Sequence, residues 1–325
     1  MEDYYITKPS LLGRDENTIQ VINETGKIKI PVTRVDSIFM LSGGTISQGA
    51  FSIAAKNHIP IHIFSYSGFY QGTFYPRIHN VSGDVLVKQV EAYLSNEKRL
   101  LIAKKIVEGS ANNMLRNLKR WGKNHDTEEE WNKVAELIAD MSMGSDIKEI
   151  MSFEGQIRKI YYKGMSKCIP FEFSKRTRHP PSNPSNAIIS FGNSLMCATV
   201  LSQIYKTRLD PRVSFLHEPF ERRFSLSLDI SDIFKPLIVD RLIVDLLSHR
   251  TISEKHFDET LNYAYLNTTG RQIFIKKYDE KLNTTVHHKT LDRKVSYKRI
   301  ILLELYKLEK HILGIRSYEP FIAWW

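Results

Sequence analysis

The residues best suited to chemistry lie in TRLDPRVSFLHEPFERRFSLSLDISDIFKPLIVDR, residues 207–241. There an imidazole, His217, stands twelve residues ahead of Asp229, and Asp232 follows three later. Carboxylates three apart on a helix share a face and can point at one object. Hard divalent cations such as Mg²⁺ and Mn²⁺ favour carboxylate oxygens, and Mn²⁺ also accepts an imidazole nitrogen. One histidine plus acids, with no cysteine nearby, suits metal-assisted phosphate chemistry better than a structural zinc site. A second reading stays open, in which Asp229 or Asp232 caps a helix beginning around Ile230.

A third carboxylate, Glu154, lies in MSFEGQIRKIYYKGM directly before Gly155. A glycine in mid-helix costs about 1 kcal/mol, so a close approach of backbone or ligand would justify it. The alternative is a surface acid paired with Arg158 at i+4.

The elements that must position these residues divide the chain. Up to about Arg77 the pattern is strand-like, with short β-branched or aromatic runs at Tyr4–Ile6, 18–22, 28–31, 37–41, 61–64 and 69–74, broken by turn residues. One helix, 45–57, interrupts them after Gly43-Gly44. No GK[ST] follows that pair, so it reads as a tight turn rather than a phosphate loop. After Ser82-Gly83 the periodicity becomes helical: 85–107, 114–121, 128–141, 147–163, 187–205, 233–247, and from Val295 to just before Gly314. The three prolines of HPPSNPSN, 179–186, predict a non-helical loop. The expected fold class is α+β, a small N-terminal β domain over 1–82 followed by a larger all-α domain over 83–325.

With these pieces on one chain, the sequence resembles the CRISPR-associated spacer-acquisition integrases, the nuclease/integrase family of CRISPR adaptation. The motifs are Glu154-Gly155, LDP…FLHE at 209–218, and SLDISDIFKP at 227–236. NPSNAIISFGNSL, FYPR, YLNTTGRQIF and SYKRIILLELYKL extend the likeness over essentially the whole chain. Asn193 and FKPLIVDRLI look most like the type I-B branch. The resemblance implies that Glu154, His217 and Asp232 are catalytic and hold Mg²⁺ or Mn²⁺. Many members of this branch carry Glu where Asp232 stands, so Asp229 is kept as a possible substitute. It further implies joining of 3′-hydroxyl ends of foreign DNA fragments into a repeat array by transesterification. Implied with it are a homodimer formed through the β domain, including the hairpin at 57–72, and a second small CRISPR-associated adaptation protein as partner.

Charge agrees with a DNA substrate. The net +10 is confined to the second half: residues 151–232 and 233–325 carry +5 each. A basic region around a carboxylate centre suits a polyanion. Arg176, Arg178 and His179, and Arg222 with Arg223, are candidate DNA contacts, and a solvated basic loop is the competing reading. Tyr161 and Tyr162, two turns after Glu154, read as core aromatics or as a stacking platform for a base. His62, His79, His287 and His288 have no ligand spacing. Two cysteines without CxxC spacing argue for a reducing compartment, and the polar N-terminus for no secretory signal. No apolar run is expected to reach the roughly 20 residues of a membrane span, which predicts a cytoplasmic protein without membrane contact. Two rivals remain. A mobile-element integrase would share the catalytic core but usually carries a further DNA-binding extension, which is not seen before Trp325. A non-catalytic DNA-binding scaffold would use the acids only as caps.

Overall fold

The structure, a computed structural model, describes residues 1–77, 80, 82–171, 181, 183–219, 224–259, 264–288 and 291–324. It divides into two compact units, Met1–Val81 with Thr177–Leu195 and Ile252–Asp279, and Ser82–Arg176 with Met196–Thr251 and Glu280–Trp325.

The first unit opens with β1 (Glu2–Ile6), β2 (Ser10–Asp15), β3 (Thr18–Asn23), β4 (Gly26–Pro31), β5 (Val35–Met40), β6 (Gly44–Ile46), α1 (Gln48–Lys56), β7 (Ile61–Phe64) and β8 (Tyr70–Phe74). They form two four-stranded sheets, in the orders β1-β5-β7-β8 and β4-β3-β2-β6. β5 lies parallel to both neighbours and is buried along its whole length, as a strand covered on both faces must be. Leu12, Ile19 and Val21 of one sheet, Ile38, Met40 and Ile61 of the other, and Ile53 and Ala54 of α1 share one core. Gly44 pairs with Ser10 in the parallel β2/β6 ladder, and a Cβ there would lie 2.2 Å from the Ser10 carbonyl oxygen. Close backbone approach explains this glycine, in keeping with a tight turn.

The second unit is mostly helical. It opens with α2 (Gly83–Leu94), α3 (Asn96–Trp121), α4 (Glu128–Met141) and α5 (Ile147–Ser166). α6 (Pro184–Ile204) begins in the first unit and ends in the second, and α7 (Ser225–Lys235), a π turn over Pro236–Asp240 and α8 (Arg241–Ser248) follow. β9 (Phe257–Glu259) and β10 (Ala264–Leu266) pair in the first unit, which α9 (Thr268–Asn283) leaves. β11 (Thr285–His288), β12 (Arg293–Ser296) and α10 (Tyr297–Ile312) complete the second.

A β start followed by a helical chain is therefore correct, with two short hairpins, β9/β10 and β11/β12, that an all-α reading omitted. The proline-rich segment also differs from expectation, because α6 starts at Pro184. Proline fits the first helical turn, where its missing N–H is not needed, and the Asn183 side chain caps the turn by accepting from Asn186 N at 2.9 Å. α6 also corrects the hydropathy reading. It is long and apolar enough to cross a membrane, with mean hydropathy 1.4 over its best window, yet 78% of that window is buried inside the protein.

Candidate metal centre

Glu154 and Asp232 are brought together by a cation. α5, capped by the Asp146 side chain, presents Glu154 and Arg158 one turn apart. The Arg158 Nε lies 2.5 Å from Glu154 Oε1, and an Nη of the same guanidinium lies 3.3 Å from Oδ1 of Asp232 on α7. Lys235, one turn after Asp232, donates to the same Oδ1 at 2.6 Å. All four side chains are at most 17% exposed. Burial alone would push the Asp232 carboxyl up, but Lys235 and then Arg158 outweigh it and hold Asp232 far below the usual carboxylate range.

Asp229 answers to different partners. It is fully buried, and Oδ2 accepts the Phe215 and Leu216 N–H groups at 2.7 and 3.0 Å. Oδ1 accepts the His217 N–H at 3.1 Å and lies 2.8 Å from His217 Nδ1. With Nδ1–H donated to a carboxylate, the imidazole presents Nε2 as its free nitrogen, the arrangement common to metal-bound histidines. Burial disfavours the His217 cation, yet the Asp229 hydrogen bond and charge, with Asp232 beyond, raise its pKa above the ordinary value. Asp229 thus has its oxygens committed to a loop and a ring, whereas Asp232 meets only cations.

The loop bearing His217 is tied from two helices. Gln89 of α2 donates to the carbonyls of Asp210 and Val213 at 3.0 and 2.8 Å, and its Oε1 accepts Asp210 N–H at 2.8 Å. Arg99 of α3 donates Nε to the Phe215 carbonyl at 2.9 Å and pairs with Glu218 at 2.8 Å.

The backbone of Asp232 needs help of its own. Pro236, four residues later, has no N–H for the Asp232 carbonyl. Ser110 of α3 supplies a hydroxyl instead, at 2.8 Å. Asn113 and Asn117, further along the same face of α3, donate to the Ile233 and Pro236 carbonyls at 3.0 and 2.7 Å. α3 is thereby a ladder of side-chain donors beside the irregular turn. Ser110→Ala leaves a buried acceptor unpaired and is expected to lower unfolding stability by about 1–3 kcal/mol. Urea unfolding checks this, and a loss under about 0.5 kcal/mol, the scatter of ordinary surface changes, would reject the role given to Ser110.

Among the expected site residues, Glu154 and Asp232 thus meet through Arg158, and His217 meets Asp229. Among the described residues no three His, Cys, Asp or Glu side chains are grouped as a metal would require. Arg158 and Lys235 occupy the acids instead; their signal in the sequence was spacing alone, i+4 from Glu154 and i+3 from Asp232. A Cβ built on Gly155 meets no atom within 4 Å, so packing does not require this glycine and the surface beside Glu154 is open. Tyr161 and Tyr162 are buried, Tyr161 stacked on Trp121, which makes them core and not a base platform. His62 is buried against Thr73, and burial pushes its pKa down to about 3. Arg176, Arg178, Arg222, Arg223, His79 and His179 lie outside the described residues.

A family model described as CRISPR associated protein Cas1 matches residues 4–280. A CRISPR-associated protein Cas1 of Methanobrevibacter ruminantium is 45% identical over 100% of this chain and 99% of its own. A CRISPR-associated endonuclease Cas1 of Methanothermobacter thermautotrophicus is 44% identical over 100% and 96%. Among solved structures, a Cas1 protein from Thermotoga maritima superposes with a TM-score of 0.90 at 40% identity, covering 98% of this chain and 100% of that one. A casposase bound to integration product shares the fold at 21% identity, with a TM-score of 0.83 over 98% and 93%. The chain belongs to the Cas1 family of CRISPR-associated proteins.

Proposed function

We propose that this Cas1 protein is a divalent-metal-dependent DNA endonuclease and integrase that joins 3′-hydroxyl ends of DNA fragments into a CRISPR repeat. Glu154, His217 and Asp232 would hold the ion, and Mg²⁺ or Mn²⁺ fits two hard carboxylates plus one imidazole. The observation that carries this is the convergence of Glu154 and Asp232 on one shared cation, Arg158, with His217 held by Asp229 so that Nε2 is free. Half-buried Glu154 and buried Asp232, which share one guanidinium, demand positive charge beside them, and a bound dication meets that demand. When bound, the ion supplies charge neutralisation at the scissile phosphate and activation of the attacking hydroxyl.

The chain's own residues do the rest. Lys235 keeps Asp232 ionised, Asp229 fixes the His217 ring, and the basic second half holds DNA phosphates. Joining exchanges one phosphodiester for another: the fragment's 3′-oxygen bonds to the target phosphorus as the target's own 3′-oxygen leaves, and one proton passes between them. Attack at both ends of a repeat calls for two centres, hence a homodimer paired through the β unit and bridged by a second small adaptation protein, acting in the cytoplasm. Full-length identity of 45% and 44% to CRISPR proteins, against 21% to the casposase, favours this reading over a mobile-element integrase.

The test is joining of a 3′-hydroxyl duplex to a repeat-bearing plasmid with Mn²⁺ and with EDTA. Product is expected only with Mn²⁺; equal joining in EDTA would reject the metal, and binding without joining in either would restore the scaffold reading. Metal uptake should also depend on pH with a definite sign. The ion takes a neutral imidazole, and the raised pKa of His217 means that a proton must leave. Affinity for Mn²⁺ is therefore expected to climb as pH rises through the raised pKa of His217, and to flatten once His217 is neutral. Calorimetry in two buffers of different ionisation heat reads the released proton.

A further inference from the structure

After α10 the chain runs from Ser317 to Trp324 in neither helix nor strand, yet Tyr318, Phe321 and Ala323 are at most 5% exposed. Buried backbone needs hydrogen-bond partners, and without a neighbouring strand these must come from side chains. Two helices supply them. Glu304 of α10, fully buried, accepts the Tyr318 hydroxyl at 2.7 Å and the Phe321 N–H at 3.0 Å through one oxygen. Its other oxygen pairs with Lys307 at 2.5 Å. Lys307 also donates to the Glu319 carbonyl at 2.7 Å, and the Tyr318 N–H reaches His311 Nδ1 at 3.2 Å. From α3, Asn113 accepts the Ala323 N–H and donates to the Phe321 carbonyl, both at 2.9 Å.

Asn113 is also where this segment meets the helix of Asp232. Its amide nitrogen carries two hydrogens, and the second goes to the Ile233 carbonyl at 3.0 Å, one residue past Asp232. One fully buried side chain thus binds the segment and α7 at once, a turn along α3 from the Ser110 hydroxyl that holds the Asp232 carbonyl. Two further contacts join the same partners. The Phe321 ring lies nearly parallel to that of Phe234, with centroids 5.8 Å apart and planes at 17°. Pro320 covers Gly109 of α3, where a Cβ would lie 2.6 Å from Pro320 Cβ and 3.6 Å from Ile233 Cγ1. The absent side chain lets the segment approach α3 beside α7. A buried carboxylate and a buried amide are costly unless their polar atoms are answered, and an apolar residue at either position would fill the core without orienting anything. Answered as they are, Glu304 and Asn113 fix one arrangement of the segment against α10, α3 and α7.

We infer that the segment Tyr318–Ala323 is a positioning strap of the metal centre, which acts through Asn113 to fix the turn of α7 that carries Asp232. Its bearing on the metal rests on the function proposed above; its hold on α7 does not. Calorimetric titration of Mn²⁺ and, in EDTA, amide hydrogen exchange along α7 relative to α5 test it. Asn113→Ala cuts the link and is expected to weaken Mn²⁺ binding about tenfold, the lower end of the effect of removing a residue that orients a metal ligand. Exchange along α7 should quicken with it. Gly109→Ala reaches the strap while leaving Asn113 in place. Alanine favours a helix interior over glycine, so the fold is retained while the new Cβ drives Pro320 off α3. Mn²⁺ should then bind severalfold more weakly, again with faster exchange along α7. Thr127→Val is the control. It deletes another buried hydrogen bond to α3, from Thr127 Oγ1 to the Leu118 carbonyl at 2.8 Å, just before α4. Mn²⁺ affinity and α7 exchange should stay unchanged in it. Unchanged Mn²⁺ affinity in either strap variant that folds, or an equal loss in the control, overturns the proposal. If the unaltered protein takes up no Mn²⁺, the proposed metal function fails and α7 exchange alone decides the strap: faster exchange in the strap variants sustains its hold on α7, and unchanged exchange overturns it.

Discussion

Asp232→Asn is expected to abolish divalent-ion binding and to slow strand joining by about a thousandfold or more, whereas Asp229→Asn leaves a weakened but active enzyme. A metal that neutralises a scissile phosphate contributes several kcal/mol to the barrier, and about 4 kcal/mol is a thousandfold. Asp232 is the acid that can supply a ligand oxygen, because its partners are Arg158 and Lys235, cations that a dication can replace. Asp229 receives three backbone N–H groups and the His217 ring, and withdrawing it would orphan them all. Its loss acts through His217, at about 10–100-fold in metal affinity, the usual effect of removing the partner of a metal-bound histidine. Because charge-assisted bonds are lost, Asp229→Asn should also lower stability by about 1.5–3 kcal/mol, in EDTA as well as in Mn²⁺. Mn²⁺ titration, single-turnover joining and urea unfolding on both variants separate the roles. A larger metal-affinity loss in Asp229→Asn than in Asp232→Asn would reassign the ligand.

Much of this arrangement could be read from residue order, and what could not has physical reasons. Strand and helix periods were plain where apolar residues repeat, as in β5 or α4. The joint at Ser95 was hidden because Val85–Val107 keeps one period across it, and only the cap from Ser95 to Lys98 N divides the run. Thr268, Thr269 and Gly270 are weak helix formers and obscure the start of α9, although Phe274, Tyr278 and Leu282 recur at helical spacing and are buried. Pro236 interrupts what was expected as one helix over 233–247, dividing it into the end of α7, a π turn and α8. That the carbonyl it frees would be met by Ser110, 122 residues earlier, is a tertiary fact no local pattern holds. Asp229 and Asp232 were singled out by their spacing after His217, whereas Glu154 entered only through the likeness to CRISPR integrases. Spacing could not choose between Asp229 and Asp232, since both lie on α7 near His217 and only hydrogen-bond partners tell them apart. Arg158 was visible merely as an i+4 mate of Glu154, and its second carboxylate comes from another helix.

That bridging position gives Arg158 a testable and unusual sign. Most changes beside a metal weaken it, but Arg158→Gln is expected to raise Mn²⁺ affinity by about tenfold. The guanidinium lies between Glu154 and Asp232, so an incoming ion must displace it and then tolerate its charge nearby. A unit charge about 4–5 Å from a dication repels it by roughly 1–2 kcal/mol even at the dielectric constant of water. Removing the charge removes both the competition and the repulsion. Without metal the balance reverses, because half-buried Glu154 and buried Asp232 lose their shared neutraliser, and breaking a buried ion pair costs about 3–5 kcal/mol. The variant should therefore melt well below the unaltered protein in EDTA and recover most of the difference in saturating Mn²⁺. Lys235 remains on Asp232 and keeps one acid answered, so the chain has reason to fold. If Arg158 served only to hold Glu154 in place, its loss would loosen a ligand and Mn²⁺ would bind more weakly. Calorimetric titration of Mn²⁺ into both proteins, paired with melting in EDTA, distinguishes the two accounts by the direction of the change.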